Sequence, residues 1–310
     1  MITALLVPLL MPLAAPVLVR WTGARLRPAA GLWALTATAC VLAGGWLAAL
    51  GGLLLAGALT WSPLARLGHL VHPLEVVPAV VSYPATALAV GALALCAYAM
   101  TRSALSQLRE YRTAHAQLRN APIAGDLSVL DRPEADAYAL PGNPGRIVVT
   151  SGMLRALDGP EREALFAHER AHLAGRHHYF LAIADLATRC HPAMRQLGDA
   201  INLAVERVAD EAAATEVGDR HLTARAIGRA ALAGNSAGAT RPAFAARAAG
   251  GPVPQRVKAL LQPAATRHRL AATAACLLLA GSAVTGAATA VGLVSLHHSV
   301  EIAQGEARDN

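Results

Sequence analysis

Residues 168–172 read His-Glu-Arg-Ala-His, and this spacing is the clearest chemical signal in the chain. Two histidines four apart on a helix stand on one face, one turn from each other, so both imidazoles can hold one zinc ion. Glu169 then sits beside the coordination position left open on the metal, where a general base is needed to activate water. A zinc hydrolase also needs a third protein ligand. Glu206 is the best candidate, in the run Glu206-Arg207-Val208-Ala209-Asp210 on a downstream helical stretch; a solvated helix face is the alternative reading. Asp210 lies four residues on, shares that face, and can take the free ring N–H of a ligand histidine. The expected centre is one Zn2+ per chain on His168, His172 and Glu206, with Glu169 as the catalytic base and Asp210 behind the ligands.

These residues need elements to position them. Asp158 with Glu161 has the form of a capping box and Pro160 suits a first helical turn, so a helix should begin near 159 and carry both histidines. A further helical stretch covers about 194–217. Upstream, 126–130 and 135–140 read as short strands, Pro-Gly-Asn-Pro-Gly at 141–145 as a turn, and 146–150 as a β-branched strand. An extended substrate can add to an exposed strand edge beside such a site. Arg146, Ile147, Val148, Val149 and Thr150 are therefore expected either as a substrate-binding edge or as a plain core strand. His177 and His178 read as surface or interfacial residues, and Glu211 and Glu216 as surface charges. Residues 233–252, rich in Ala and Gly, read as a mobile loop, and 253–262 as a short helix. Arg170 or that loop could cover the site. An oxyanion donor is not singled out among His177, His178, Arg220, His221 and Arg225.

Composition sets the surroundings. Hydrophobic residues make up 55% of the 310 and charged residues only 15%, against about 25% charged in an ordinary soluble domain. Mean hydropathy is +0.40. The apolar runs at 2–19, 31–60, 79–100 and 269–295 each approach or exceed the ~20 residues of a membrane span. Net charge is +7, but the arginines flank apolar runs, which fits the positive-inside bias; no direct nucleic-acid contact is expected without interleaved aromatics or a reading motif. The basic segments at 20–30 and after Met100 should be cytoplasmic, with both termini outside. The four cysteines show neither disulfide nor zinc spacing. The expected architecture is an α-helical multi-pass protein of the cell membrane with four transmembrane helices and a cytoplasmic α+β zincin-like metallopeptidase domain. Its parts are a membrane domain at 1–100, the metallopeptidase domain at 101–268, a fourth span at 269–295 and a short extracellular tail at 296–310.

The run of 135–140, the turn, Ile147-Val148-Val149-Thr150-Ser151-Gly152-Met153-Leu154, 168–172 and 206–210 resembles, in order, the pattern of gluzincin membrane metallopeptidases. HtpX-like proteases, CaaX-prenyl proteases and BlaR/MecR-type antirepressor peptidases share it. Three spans before the zinc segment and one after it, with Gln255-Arg256-Val257-Lys258-Ala259-Leu260-Leu261 ahead of the last, are most similar to the BlaR/MecR type. The resemblance implies that His168 is the histidine Asp210 supports. It also implies a cytoplasmic protease that inactivates a transcriptional repressor, with a winged-helix repressor as protein substrate and the lipid bilayer as surroundings. No penicillin-binding domain follows residue 295, so direct β-lactam sensing is not expected. The rival readings are an HtpX-like quality-control protease and a non-catalytic membrane signalling scaffold. Self-association is left open.

Overall fold

The computed structural model describes residues 2–22, 26–67, 79–118, 122–235, 252–262 and 268–304. Helix α1 (Ile2–Leu10) passes through a 3-10 turn at Met11–Ala14 into α2 (Ala15–Thr22). Pro8, Pro12 and Pro16 remove backbone donors along this stretch, which accounts for the break in the α-helix. There follow α3 (Pro28–Ala58), α4 (Ser62–Leu67) and α5 (Ala79–Gln117). Among the described residues, three helices are long and apolar enough to cross a membrane: α3, most of α5 and most of α12 (His268–Gln304). Three of the four expected spans thus correspond to long apolar helices, while the first apolar stretch is a shorter, interrupted helix over Ala4–Arg20. α5 runs on unbroken beyond its apolar stretch to Gln117.

A four-stranded sheet follows: β1 (Ile123–Ala124), β2 (Leu127–Leu130), β3 (Ala137–Leu140) and β4 (Arg146–Thr150), in the order β1-β2-β4-β3. β4 is parallel to β2 and antiparallel to β3. Its side chains alternate between two layers. Val149 joins Ala137, Met153 and Leu165 on one face, while Val148 joins Tyr138, Leu140 and Ala114 of α5 on the other. The reading of 146–150 as an exposed edge is thus corrected. Arg146–Val149 pair with β3 and Ile147–Thr150 with β2, so β4 is a core strand and the outer edge on that side belongs to β3.

Helices α6 (Ser151–Ala156), α7 (Gly159–Ala174), α8 (His177–Cys190), α9 (Arg195–Val217), α10 (Arg220–Asn235) and α11 (Val253–Leu261) complete the fold. A left-handed residue, Arg176 (φ 49°), turns the chain from α7 into α8, and a 3-10 turn at Pro192–Met194 turns α8 into α9. The α8–α9 hairpin does not stand apart from the spans. Phe180 and Ala184 of α8, and Leu197 and Ile201 of α9, share one core with Leu35 and Leu42 of α3 and Leu278 of α12. A boundary at residue 101 therefore does not coincide with a break in packing. Most of the stretch read as a loop at 233–252, His69 and His72 with the rest of 68–78, and the tail beyond Gln304 lie outside the described residues.

Candidate metal centre

The helix carrying the histidines starts as its local sequence demands. Asp158 accepts from the Glu161 N–H at 2.9 Å, and the Glu161 carboxylate accepts from the Asp158 N–H at 3.1 Å, which closes the capping box. Glu161 is fully buried and also accepts from Arg225 at 3.1 Å and Arg229 at 2.6 Å, tying the start of α7 to α10. Three turns on, His168, Glu169 and His172 are all buried.

α9 crosses α7 and brings Glu206 and Asp210, both buried, against these histidines. His168 Nε2 and His172 Nε2 are 3.0 Å apart, and the Glu206 carboxylate lies 3.6 Å from the first and 3.8 Å from the second. Tetrahedral zinc with bonds near 2.0–2.1 Å separates its ligand atoms by about 3.3 Å. The three donor atoms have the chemistry, convergence and spacing for such an ion.

Each donor is held from behind. His168 Nδ1 lies 3.0 Å from Asp210 Oδ1, which orients Nε2 toward the shared point. Arg256, completely buried on α11, grips Asp210 through two contacts of 2.8 and 2.6 Å and reaches Glu206 Oε2 at 2.8 Å. It is also within electrostatic reach of Glu169. His172 Nδ1 lies 2.8 Å from Nδ1 of buried His177. A Cβ on Gly175 would overlap the other side of that His177 ring, so a glycine is needed there.

Electrostatics sort these groups. Burial alone would lower the His168 pKa, but its hydrogen bonds to Asp210 and Glu206 outweigh that and hold it up at about 9. His172 is pushed well below the usual histidine value by burial and by the neighbouring His168 charge. Burial lowers His177 as well, to about 4. Asp210 stays below the ordinary aspartate value despite its burial, because Arg256 and His168 bond to it. The 3.0 Å contact between the Nε2 atoms of His168 and His172, and the 2.8 Å contact between the Nδ1 atoms of His172 and His177, each have room for one shared proton. An ion at the shared point takes the place of the first of these protons.

All four expected residues around the metal, together with Glu169, are thus in one place, whereas 146–150 lie in the sheet. Two residues of the cluster were not foreseen. His177, expected at the surface or an interface, is buried: the turn at Gly175-Arg176 folds it back onto His172. Arg256 was seen only as part of a basic segment. Its signal is an arginine on the apolar face formed by Val253, Val257 and Leu260. Arg170, on the same helix, is engaged by Asp126 (2.8 Å) and Glu216 (3.3 Å).

Residues 104–191 match the model of peptidase family M48. The matched stretch runs from within α5 through the sheet and α7 to the end of α8. It includes His168, Glu169 and His172 but stops short of Glu206, Asp210 and Arg256. It supports a metallopeptidase of the M48 kind without singling out the antirepressor type. No curated protein and no solved structure matches the chain.

Proposed function

We propose that this chain is a zinc endopeptidase set in the cell membrane, hydrolysing peptide bonds of a protein substrate. The observation that carries the reading is the convergence of three buried donor atoms with Glu169 adjacent to the first of them on α7. Bound there, zinc would supply a water acidified toward neutral pH and a Lewis acid for the scissile carbonyl. The rest is done by side chains of this chain. Glu169 accepts the proton of the attacking water and returns it to the leaving amine nitrogen. Asp210 keeps the Nε2 lone pair of His168 on the centre, and His177 does the same for His172. Arg256 keeps the Asp210 carboxylate ionised and holds both Asp210 and Glu206 in aim.

The arginine bias of the loops supports a cytoplasmic site. The resemblance of 255–261 and the order of the apolar stretches support a transcriptional repressor as the substrate. A second reading, a protease of membrane proteins, is favoured by the packing of α8 and α9 into the spans. The deciding experiment is zinc content and casein cleavage for wild type, Glu206→Ala and Glu169→Gln. About one zinc per wild-type chain, largely lost in Glu206→Ala, is expected. Glu169→Gln should retain the metal and lose about 10²–10⁴-fold in rate. A folded wild type that binds no zinc would hand the protein to the scaffold reading.

A further inference from the structure

A cavity of about 1160 Å3 lies between α5, α8 and α9, and Glu206 is part of its wall. α9 lines it with Arg195, Asp199, Asn202 and Glu206, a single face at helical spacing. α5 contributes Leu95, Tyr98, Arg102 and Ser106 in the same rhythm, and α8 contributes Leu181, Asp185 and Thr188.

Contacts give the cavity a direction. The Cys96 thiol of α5 lies 3.2 Å from the Cys190 carbonyl at the end of α8, and Ser103 of α5 bonds to Asp185, earlier in α8. α5 and α8 therefore run in opposite senses, and α9, returning from the hairpin, runs alongside α5. One end of the cavity pairs Leu95 and Tyr98 with Arg189 and Arg195; the other pairs Ser106 and Gln107 with Glu206. The first end lies among the spans. α5 has no charged residue from Ala79 to Met100. At the tip of the hairpin, the His191 ring packs 4.7 Å from Trp46, in the middle of α3. Ionisable side chains at that depth must face one another or water, and Arg189, Arg195 and Asp199 do line the cavity. It is a polar recess cut into the span bundle, leading out to the candidate metal ligand.

Resting on the peptidase reading of the same site, we propose that this recess is the substrate groove and that its occupant is an extended polypeptide segment adjoining a membrane-inserted stretch of the substrate. From Arg195 to Glu206 the groove follows eleven helical steps, about 16 Å, which an extended chain covers in about five residues. The scissile bond is thus placed about five residues from the point where the membrane-inserted stretch of the substrate enters the recess. Thr188 and Asn202 offer a hydroxyl and an amide to its main chain along the way.

The test uses the zinc-loaded full chain in phosphatidylcholine vesicles and a casein-derived peptide, either free or fused to a synthetic leucine-alanine transmembrane helix through spacers of increasing length. Cuts that stay about five residues from the helix whatever the spacer are expected, as is at least tenfold faster cleavage of the anchored peptide. Asn202→Trp and Thr188→Trp, each filling the groove, should retain zinc and lose anchored cleavage at least tenfold. Cuts that ignore the anchor, or Trp variants that cleave like wild type, overturn the proposal while leaving the peptidase reading intact. Binding is read separately in Glu169→Gln, with a photo-crosslinker on the anchored peptide at the residue adjoining its helix. Labelling of the Leu95, Tyr98, Thr188 or Arg195 walls supports the groove, and labelling confined to other surfaces refutes it. Zinc-loaded wild type that cleaves neither these peptides nor whole casein would instead remove the peptidase reading beneath it.

Discussion

Arg256→Met removes the one cation that faces both Glu206 and Asp210 from α11. The wild-type guanidinium is fully buried, makes two contacts to Asp210 at 2.8 and 2.6 Å, and a third to Glu206 at 2.8 Å. Methionine fills much of the same space, so the change isolates the charge. Removing one member of a buried ion pair costs about 3–5 kcal/mol, because the partner charge stays buried and uncompensated. In the metal-free protein His168 still faces Asp210 at 3.0 Å, so the lower part of that range, about 3–4 kcal/mol, applies. At about 2–4 °C per kcal/mol, the melting temperature should fall by about 10 °C. Zinc changes the outcome: a metal on Glu206 takes over part of the role of Arg256, so the deficit should shrink by roughly half at saturating zinc. Arg256→Lys, which retains the charge and loses the fork, should fall between the two. The assay is tryptophan-fluorescence melting of the detergent-solubilised protein in EDTA and in excess zinc. A variant that melts within about 2 °C of wild type in EDTA would refute the argument, since a buried pair of carboxylates cannot lose the arginine that bridges it at so small a cost.

His177→Ala should weaken zinc binding about 10–100-fold in a chelator competition while leaving the circular dichroism unchanged; undiminished affinity would show that the His172 ring needs no support. Without metal, stability should depend on pH through His168. Its pKa is raised from 6.5 to about 9 in the folded protein, so its contribution is complete below pH 6.5 and is lost as pH rises through 9. In EDTA, the melting-temperature gap between wild type and Asp210→Asn should accordingly narrow between pH 6.5 and 9.5; a constant gap would contradict this. Asp158→Ala, which opens the capping box of α7, should cost about 1 kcal/mol, seen as a fall of a few degrees in the same melting assay.

The sequence by itself determined what depends on near neighbours. Histidines four apart share a helix face, Asp158 and Glu161 close a cap across three residues, and 146–150 alternate between two faces; each relation is local, and each appears in the structure. The same holds for Glu206 and Asp210 as one face of α9. Tertiary structure alone decided which faces meet. Arg256 reaches Asp210 from 46 residues away, across residues 236–251, and no local pattern encodes that distance. His177 turns inward because Arg176 takes a left-handed conformation, and β4 lies inside the sheet because β2 pairs with it across nineteen intervening positions. The position of α8 and α9 among the spans was equally hidden. Phe180, Leu197 and Ile201 read the same whether the apolar surface they cover belongs to a separate domain or to a membrane helix, and only the packed chain distinguishes the two.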